Sequence, residues 1–404
     1  MVAGMAFRTL DDLIASPGIR ALVRVDFNLP MENGKIADFT RLDAALPTIR
    51  DLAAKGARVV LLAHFDRPNG QPVPSMSLTA IAPALAARLG APVAFAPDCI
   101  GPIAAAAIEN LAPGGVLLLE NVRFHAGEEA NAPDFIAALA RLGDLFVNDA
   151  FSAAHRAHAS TEGLARALPA YAGRAMQQEL EHLNAALGDP QRPVLAIVGG
   201  AKVSTKLDVL RNLVGKVDML AIGGGMANTF LFAQGFPVGK SLCERDQIAV
   251  VQGILTAAAQ RGCKILLPQD VVAAIAFAPH APHRICAPAD VAQEEMILDA
   301  GPASVAALAL AMAGAKTLIW NGPLGAFETP PFDAATMQAA REAARLCTAG
   351  RLICVGGGGD TVSALHQAKV AQDFTFISTA GGAFLEWMGG KILPGIAALE
   401  IAPA

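Results

Sequence analysis

Short apolar runs recur along the whole chain, and each is followed at once by charged residues or by a glycine cluster. In the first half the runs lead into RVDFN (Arg24–Asn28), HFDRP (His64–Pro68), ENVRFH (Glu120–His125) and NDAFSAAHRAH (Asn148–His158). In the second half they lead mostly into glycine: GGAKVSTK (Gly199–Lys206), GGGMANTF (Gly223–Phe230), PQD (Pro268–Asp270), NGPLGAFE (Asn321–Glu328), GGGGDT (Gly356–Thr361) and STAGGAF (Ser378–Phe384). Ala/Leu-rich stretches of helical length separate the runs, which is a β–α rhythm. Unbroken runs such as Val59–Ala63, Val116–Leu119 and Leu145–Val147 suit strands covered on both faces. The fold class predicted is α/β, with two Rossmann-like, doubly wound parallel sheets. In such sheets ligands bind just beyond the carboxyl ends of the strands, where the charged and glycine segments fall. One half offers cations and the other bare backbone amides, and both can hold phosphate.

At 404 residues the chain is too long for one ordinary core, so two domains are expected. The rhythm predicts further strands at Val194–Val198, Met219–Ile222, Ile265–Leu267, Thr317–Trp320, Leu352–Val355 and Phe374–Ile377, and helices at Asp43–Lys55 and Leu78–Leu89. The boundary falls within Tyr171–Pro193, where Met176–Leu187 reads as a helix and Gly188-Asp189-Pro190 stops it. This divides the chain into a domain over 1–175, a helix over 176–187 and a second domain that begins at 188. A net charge of −5 argues against a general nucleic-acid binder. The six cysteines lack CxxC spacing, which fits a reducing compartment. The start MVAGMAFRTLDDL lacks a signal-peptide pattern, and the longest apolar stretch, Val305–Ala315, is too short to span a bilayer. A cytoplasmic protein without nucleic-acid or membrane partners is the expectation.

Period-2 alternation over Leu22–Asn28 puts Arg24, Asp26 and Asn28 on one face and Val23, Val25 and Phe27 on the other. A charged row on so apolar a strand needs partners, either an internal ion pair or a ligand. Arg41 follows an Asp-Phe-Thr turn, His64 and Arg67 follow a buried run, and Arg123 and Arg156 follow later strands. Only Lys35 and Lys55 precede residue 176, against thirteen arginines. Arginine's planar fork matches phosphate oxygens, although an Arg- and Ala-rich genome would give the same bias. In the second half Lys202 and Lys206 are four apart at a predicted helix start behind Gly199-Gly200. The GGGGDT run adds Asp360, and a carboxylate beside phosphates is how Mg²⁺ is commonly held.

Two motifs fail on inspection. GFPVGKS (Gly235–Ser241) is one residue short of a P-loop, with Gln234 where the motif needs glycine. The clusters at Gly223–Asn228 and Gly356–Thr361 lack the third Gly/Ala of a dinucleotide fingerprint. No HxxxH or HExxH pair occurs, so zinc is not expected.

Taken in order, RVDFNLP, ENVRFH, DAFSAAHRAHAS, GGAKVSTK, GGGMANTF, WNGPLGAFE, GGGGDT and STAGGAFLE closely resemble the phosphoglycerate kinase family, over Arg24 to Glu386. The resemblance implies a monomeric, hinge-bending kinase that passes the acyl phosphate of 1,3-bisphosphoglycerate to ADP, reversibly, giving 3-phosphoglycerate and ATP. It places the glycerate on the first domain and Mg-nucleotide on the second. Asp26 and Asn28 would meet the glycerate's polar end. His64, Arg67, Arg123 and Arg156 would surround the 3-phosphate, with Arg41 turned to the reacting carboxyl. Lys206, Asn321 and Glu328 would serve the nucleotide, with Gly358, Gly359 and Thr361 around its phosphates and Asp360 on Mg²⁺. Lys202, Arg41 and the amides of Gly381 and Gly382 would surround the phosphoryl group in flight. The resemblance also implies that the 176–187 helix is the hinge, that the second domain runs over 188–392, and that a tail over 393–404 packs on the first domain.

The chain departs from the family pattern at several places. Phe65-Asp66 replace Leu-Gly, Ser152 and Ile297 stand at usual glycines, Thr205 replaces Asp, and Ala380 replaces the first glycine of STGGGA. Two other readings stay open on sequence alone: a nucleotide-dependent oxidoreductase of doubly wound fold, and a kinase relative kept as a binding scaffold.

Overall fold

The computed structural model describes residues 6–14, 16–32 and 34–400. The chain forms two compact units: one runs up to Glu181 and resumes at Ile392, and the other is His182–Lys391. The expected first domain and tail therefore reach residues 1–5 and 401–404, which lie outside the described residues.

The first unit holds strands β1 (Arg20–Arg24), β2 (Arg58–Leu62), β3 (Val93–Ala96), β4 (Val116–Leu119), β5 (Leu145–Asn148) and β6 (Ala170–Ala172). They form one parallel sheet in the order β3-β4-β2-β1-β5-β6. The strand order reverses at β1, between β2 and β5, so the ligand crevice belongs at the carboxyl ends of these three strands. Helix Thr40–Ala54 buries Leu42, Ala45, Leu46, Ile49 and Leu52, a stripe of helical period, against Val23, Leu61 and Val147 of the sheet. The strand predicted over Leu22–Asn28 stops at Arg24. Arg24 pairs with Leu62 and with Asn148, the last residues of both neighbours, so nothing remains to pair with beyond it. Its in–out alternation nevertheless continues, with Val25, Phe27 and Leu29 buried and Asp26 and Asn28 half-buried.

The second unit repeats the plan with β7 (Val194–Val198), β8 (Met219–Ile222), β9 (Lys264–Leu266), β13 (Thr317–Asn321), β14 (Ile353–Gly357) and β15 (Phe376–Ser378). All pairs are parallel, in the order β9-β8-β7-β13-β14-β15, with the reversal between β7 and β13. Between β9 and β13 the chain adds an antiparallel sheet absent from the sequence reading: β10 (Val271–Ala274), β11 (His283–Cys286) and β12 (Met296–Ala300), in the order β11-β10-β12. Helix Ala334–Thr348 packs alanines 339, 340, 343 and 344 in the core that contains Leu318 and Trp320 of β13. The buried Trp320 indole donates to the Gly322 carbonyl at 2.8 Å.

Other boundaries move by a residue or two where caps decide them. The predicted Leu78–Leu89 helix opens as a 3₁₀ turn (Leu78–Ala80) before the α-helix Ile81–Leu89. The predicted Met176–Leu187 helix begins earlier, at Arg174, runs to Leu183 and closes in a wider turn, Asn184–Gly188. Its first free amides, of Ala175 and Met176, donate to Asp149 Oδ1 from a distant loop. The returning chain is tied to the first unit where Gly395 N donates to Ala154 O at 2.9 Å. Among the described residues no helix is long and apolar enough to cross a membrane.

At the reversal between β7 and β13 the two turns touch backbone to backbone. A Cβ on Gly322, whose φ is +107°, would lie 2.2 Å from Gly199 O, and one on Gly199 would lie 1.8 Å from Pro323 O. Both the left-handed backbone and the steric overlap penalise a side chain. Gly322→Ala should therefore lower the stability of the second unit by about 3 kcal/mol or more. Urea unfolding measures it, and an unchanged midpoint would mean the turns can separate.

Candidate active site

The carboxyl rim of the first sheet carries positive charge stacked in two tiers. In the lower tier Arg24 is 1% exposed. Its Nε donates to Ser160 Oγ (2.8 Å), its Nη1 to Val25 O (2.6 Å) and its Nη2 to His64 Nδ1 (2.9 Å). Ser160 Oγ in turn donates to Glu128 Oε1 (2.6 Å), and Ser160 N donates to Glu128 Oε2 (2.8 Å). The fully buried Glu128 thus faces Arg24 across one hydroxyl, and burial raises its pKa against the pull of that guanidinium. Arginine only donates, so His64 Nδ1 accepts and the ring keeps its proton on Nε2.

The upper tier is built on loops. Asp26 Oδ1 accepts the Asn28 amide (3.0 Å), and Asp26 Oδ2 accepts Ser152 Oγ–H (2.5 Å) and lies 3.2 Å from Arg41 Nη1. The same Arg41 nitrogen donates to Asn28 O (2.8 Å). Asn28 Oδ1 accepts the Asp66 amide (3.0 Å), and Asp66 O accepts Arg123 Nη1 (2.8 Å). One chain of contacts therefore joins Asp26, Asn28, Arg41, Asp66 and Arg123. Arg67 is exposed, next to Asp66 in sequence, and Arg156 donates to His155 Nε2 at 3.3 Å. Among the described residues neither Arg67 nor Arg156 has a carboxylate partner, whereas Arg123 Nε lies 3.2 Å from Glu129 Oε1. The two histidines register the surplus. Burial first, then Arg24, Arg123 and Arg156, push the His64 pKa well below the ordinary imidazole range. Burial and the same arginines hold His158 down at about 4. Positive charge converging without an equal counter-charge is an anion site.

The second unit has a cavity of about 360 Å³ beside the β7/β13 reversal, walled by Leu242, Phe277, Met296 and Leu324 and edged by Glu328 and Asp360. Its largely apolar lining with a few polar groups at one side suits a flat heterocycle carrying a charged tail. Asn321 Nδ2 donates to Gly357 O (2.8 Å), and Gly322 N donates to the buried Thr361 Oγ1 (2.7 Å), so Thr361 serves the scaffold. Gly358, at φ +95°, caps helix Gly359–Gln367, whose first turn carries the exposed Asp360. The left-handed Gly381, at φ +50°, precedes helix Gly382–Met388. Lys202 is exposed at a 3₁₀ turn, Val203–Lys206, that precedes helix Leu207–Val214. The two lysines do not act alike. Lys206 Nζ donates to Gly199 O (2.6 Å), Asn321 O (3.1 Å) and Asn321 Oδ1 (2.5 Å), and burial lowers its pKa to about 8 despite Asp360 nearby. The second unit therefore brings Lys206 and Asn321 into bonded contact, ties Thr361 to Gly322, and places Glu328 and Asp360 at the cavity.

Comparison with known proteins gives the family of the chain. The family model for phosphoglycerate kinase matches residues 10–391. The chain is 64% identical over 396 residues to a phosphoglycerate kinase of Caulobacter vibrioides, covering 98% of this chain and all of the relative. It is 63% identical to that of Zymomonas mobilis with the same coverage. The solved phosphoglycerate kinase of Coxiella burnetii superposes with a TM-score of 0.91 at 40% identity, over 98% of this chain and 99% of that one. That of Pyrococcus horikoshii gives 0.80 at 30% identity over 98% of each chain. The chain belongs to the phosphoglycerate kinase family. It is accordingly a phosphotransferase of glycolysis, moving phosphate reversibly between 1,3-bisphosphoglycerate and ADP.

Several residues of the arginine rim and of the cavity wall escaped the sequence reading. Glu128, Ser160 and His158 meet Arg24 and His64 only through the fold, although HRAHAS marked the segment of two of them. The cavity walls Phe277 and Met296 come from the unpredicted antiparallel insertion and its approach. An anion bound in the rim would cancel part of the arginine field on His158. Sulfate should raise the His158 pKa from about 4, read by NMR titration of its ring protons. An unmoved pKa would put the anion elsewhere.

Proposed function

We propose that the arginine rim of the first unit binds the 3-phosphoglycerate end of the reaction and that the cavity of the second binds ATP or ADP. The observation that carries this is the convergence of Arg24, Arg123 and Arg156 on the buried His64, with Arg156 and the neighbouring Arg67 lacking a carboxylate partner among the described residues. His64 Nε2–H, Arg67, Arg123 and Arg156 hold the 3-phosphate, with Asp26 and Asn28 at the glycerate's polar end. Arg41 commits one nitrogen to Asn28 and Asp26 and keeps Nε and Nη2 to meet the reacting carboxylate. In the second unit Glu328 takes the ribose, while Asn321, Gly358, Gly359 and Thr361 shape the phosphate turn. Lys206 supplies charge from behind that turn and exchanges one of its three carbonyl-type acceptors for a phosphate oxygen.

Phosphoryl transfer asks for no side-chain nucleophile, because a substrate oxygen attacks. What the chain supplies is position and charge. Lys202, Arg41 and the amides of Gly381 and Gly382 stabilise the charge on the migrating group. A guanidinium about 4 Å from an oxyanion is worth roughly 4 kcal/mol at an effective dielectric near 20, and it accelerates the step only as far as it strengthens in the transition state. Asp360, exposed beside the cavity and close enough to influence Lys206, fits one oxygen ligand of a Mg²⁺ that otherwise keeps water and phosphate oxygens. That ion, when bound with nucleotide, neutralises phosphate charge. Helix Arg174–Leu183, in which the chain passes between the units, is the hinge, and the enzyme works as a cytoplasmic monomer.

A coupled assay with 3-phosphoglycerate, ATP and Mg²⁺ tests the reading: no turnover at millimolar substrate would sink it. Arg41→Ala should cut kcat by about a hundredfold or more while ATP affinity stays within a few fold. Equal losses in both would remove Arg41 from the transfer step. Lys206 also predicts a pH signature. Its folded pKa of about 8 lies below the ordinary lysine value, so free protein loses this charge as pH rises through about 8. ADP affinity should weaken above that pH, and Lys206→Met should remove the bend from the binding-versus-pH curve; a bend that survives belongs to another group.

A further inference from the structure

At the outer edge of the first sheet, beyond the arginine rim, three side chains of metal-ligating chemistry converge. Asp98 and Cys99 follow edge strand β3, and His125 follows its neighbour β4. A carboxylate oxygen, the Cys99 sulfur and a ring nitrogen of His125 lie within 4.8 Å of one another. Asp98 Oδ1 accepts His125 Nε2–H at 2.8 Å and the amides of Cys99 (2.7 Å) and Ile100 (3.4 Å), which pins the carboxylate over the turn that carries the thiol. The His125 ring is held by stacking on Phe135, with centroids 5.3 Å apart. Cys99 is 1% exposed, whereas the side chains of Asp98 and His125 are 35% and 32% exposed. The cluster therefore has a closed sulfur floor and an open mouth. None of the three has a role in the phosphotransfer described above.

We propose that Asp98, Cys99 and His125 form a binding site for a zinc-class divalent metal ion, with three protein ligands and a fourth position open to water. One sulfur, one nitrogen and one oxygen are the donors such an ion takes in tetrahedral sites that keep an exchangeable position. Thiolate and imidazole disfavour Mg²⁺ or Ca²⁺, which take oxygen. A metal takes cysteine as the thiolate, so binding competes with the thiol proton. On binding, the S–H bond breaks, a sulfur–metal bond forms and the proton leaves to solvent. His125 gives up its hydrogen bond to Asp98, and in the neutral ring the proton moves from Nε2 to Nδ1. The donors lie on two separate βα loops, so no short histidine motif announces them.

Titration of the full-length protein with Co²⁺ tests the site, because a thiolate ligand gives a sulfur-to-cobalt charge-transfer band and tetrahedral geometry gives intense visible bands. One equivalent should produce both, Zn²⁺ should displace them, and the proton released should be seen as a buffer-dependent heat of binding. Cys99→Ser should abolish the charge-transfer band, and His125→Ala should weaken Co²⁺ binding by about tenfold or more. Cys347→Ser, which removes a thiol 3.2 Å from Thr375 Oγ1 in the second unit, should change nothing. If the buried Cys99→Ser variant fails to fold, the half-exposed His125→Ala and Asp98→Asn variants decide. Absence of the band in folded protein, or its persistence through loss of His125 and Asp98, overturns the proposal.

Discussion

Uncompensated positive charge, held rigid on the rim of a parallel sheet, is the condition on which the first unit is built. Four arginines and two histidines crowd the ends of β1, β2, β4 and β5, and repulsion alone would splay the loops. Two internal devices prevent that. Glu128, fully buried, offsets Arg24 through the single hydroxyl of Ser160, so the lower tier is close to neutral and acts as a frame. Asp26 offsets Arg41 above it. Burying an ion pair is stabilising only when its remaining donors and acceptors are satisfied. Here Arg24 makes three hydrogen bonds and Glu128 accepts two. What is left over, on Arg67, Arg156 and part of Arg123, is the charge a phosphate dianion would meet.

The second unit solves a different problem with the same sheet. Its cavity wall is leucine, phenylalanine and methionine with a polar side that is mostly main chain, which would suit the nucleotide proposed for it, with a large apolar face as well as phosphates. Glycines let the turns of β7 and β13 approach so closely that no side chain fits between them. Lys206 threads this crowded turn by satisfying itself on carbonyl oxygens. The lowered pKa is the cost of that burial, and it ties the strength of the charge to pH. Rigidity in one unit comes from ion pairs and in the other from close backbone contact.

The fold was legible in the sequence because parallel strands covered on both faces must be unbroken apolar runs. Val116–Leu119, Val194–Val198 and Met219–Ile222 have the ends read for them, since their neighbours stop where they do. What escaped was set by tertiary context. The strand beyond Arg24 lacked pairing partners; β3 and β6 are short sheet edges; the antiparallel β10–β12 insertion follows PQD, which reads as a turn. At the site, residues adjacent to strand ends stood out because topology sends every strand end to one rim. Glu128 and Ser160 did not, since a carboxylate on a short helix and a serine in a turn are ordinary until the fold sets them against a buried arginine. Lys202 and Lys206 looked equivalent at a spacing of four, but the helix starts only after Lys206, and Lys206 is half-buried on carbonyl oxygens while Lys202 is exposed.

One departure from the family pattern falls where main chain, not side chain, carries the contact. Asp66 stands at φ +54°, a left-handed position that suits glycine and that aspartate tolerates better than most residues. Its amide and carbonyl bridge Asn28 and Arg123, and its side chain is exposed, so the bridge survives the substitution. Ser152 does more than fill a glycine's place, because its hydroxyl donates to Asp26 and leaves that carboxylate less free to pull on Arg41. Thr205 turns its hydroxyl back onto the Lys202 carbonyl. Ala380 keeps an ordinary backbone, while the left-handed turn beside it falls on Gly381. Ile297 is the one departure that adds bulk to the cavity wall, so of all of them it has the most direct physical route to altered nucleotide affinity.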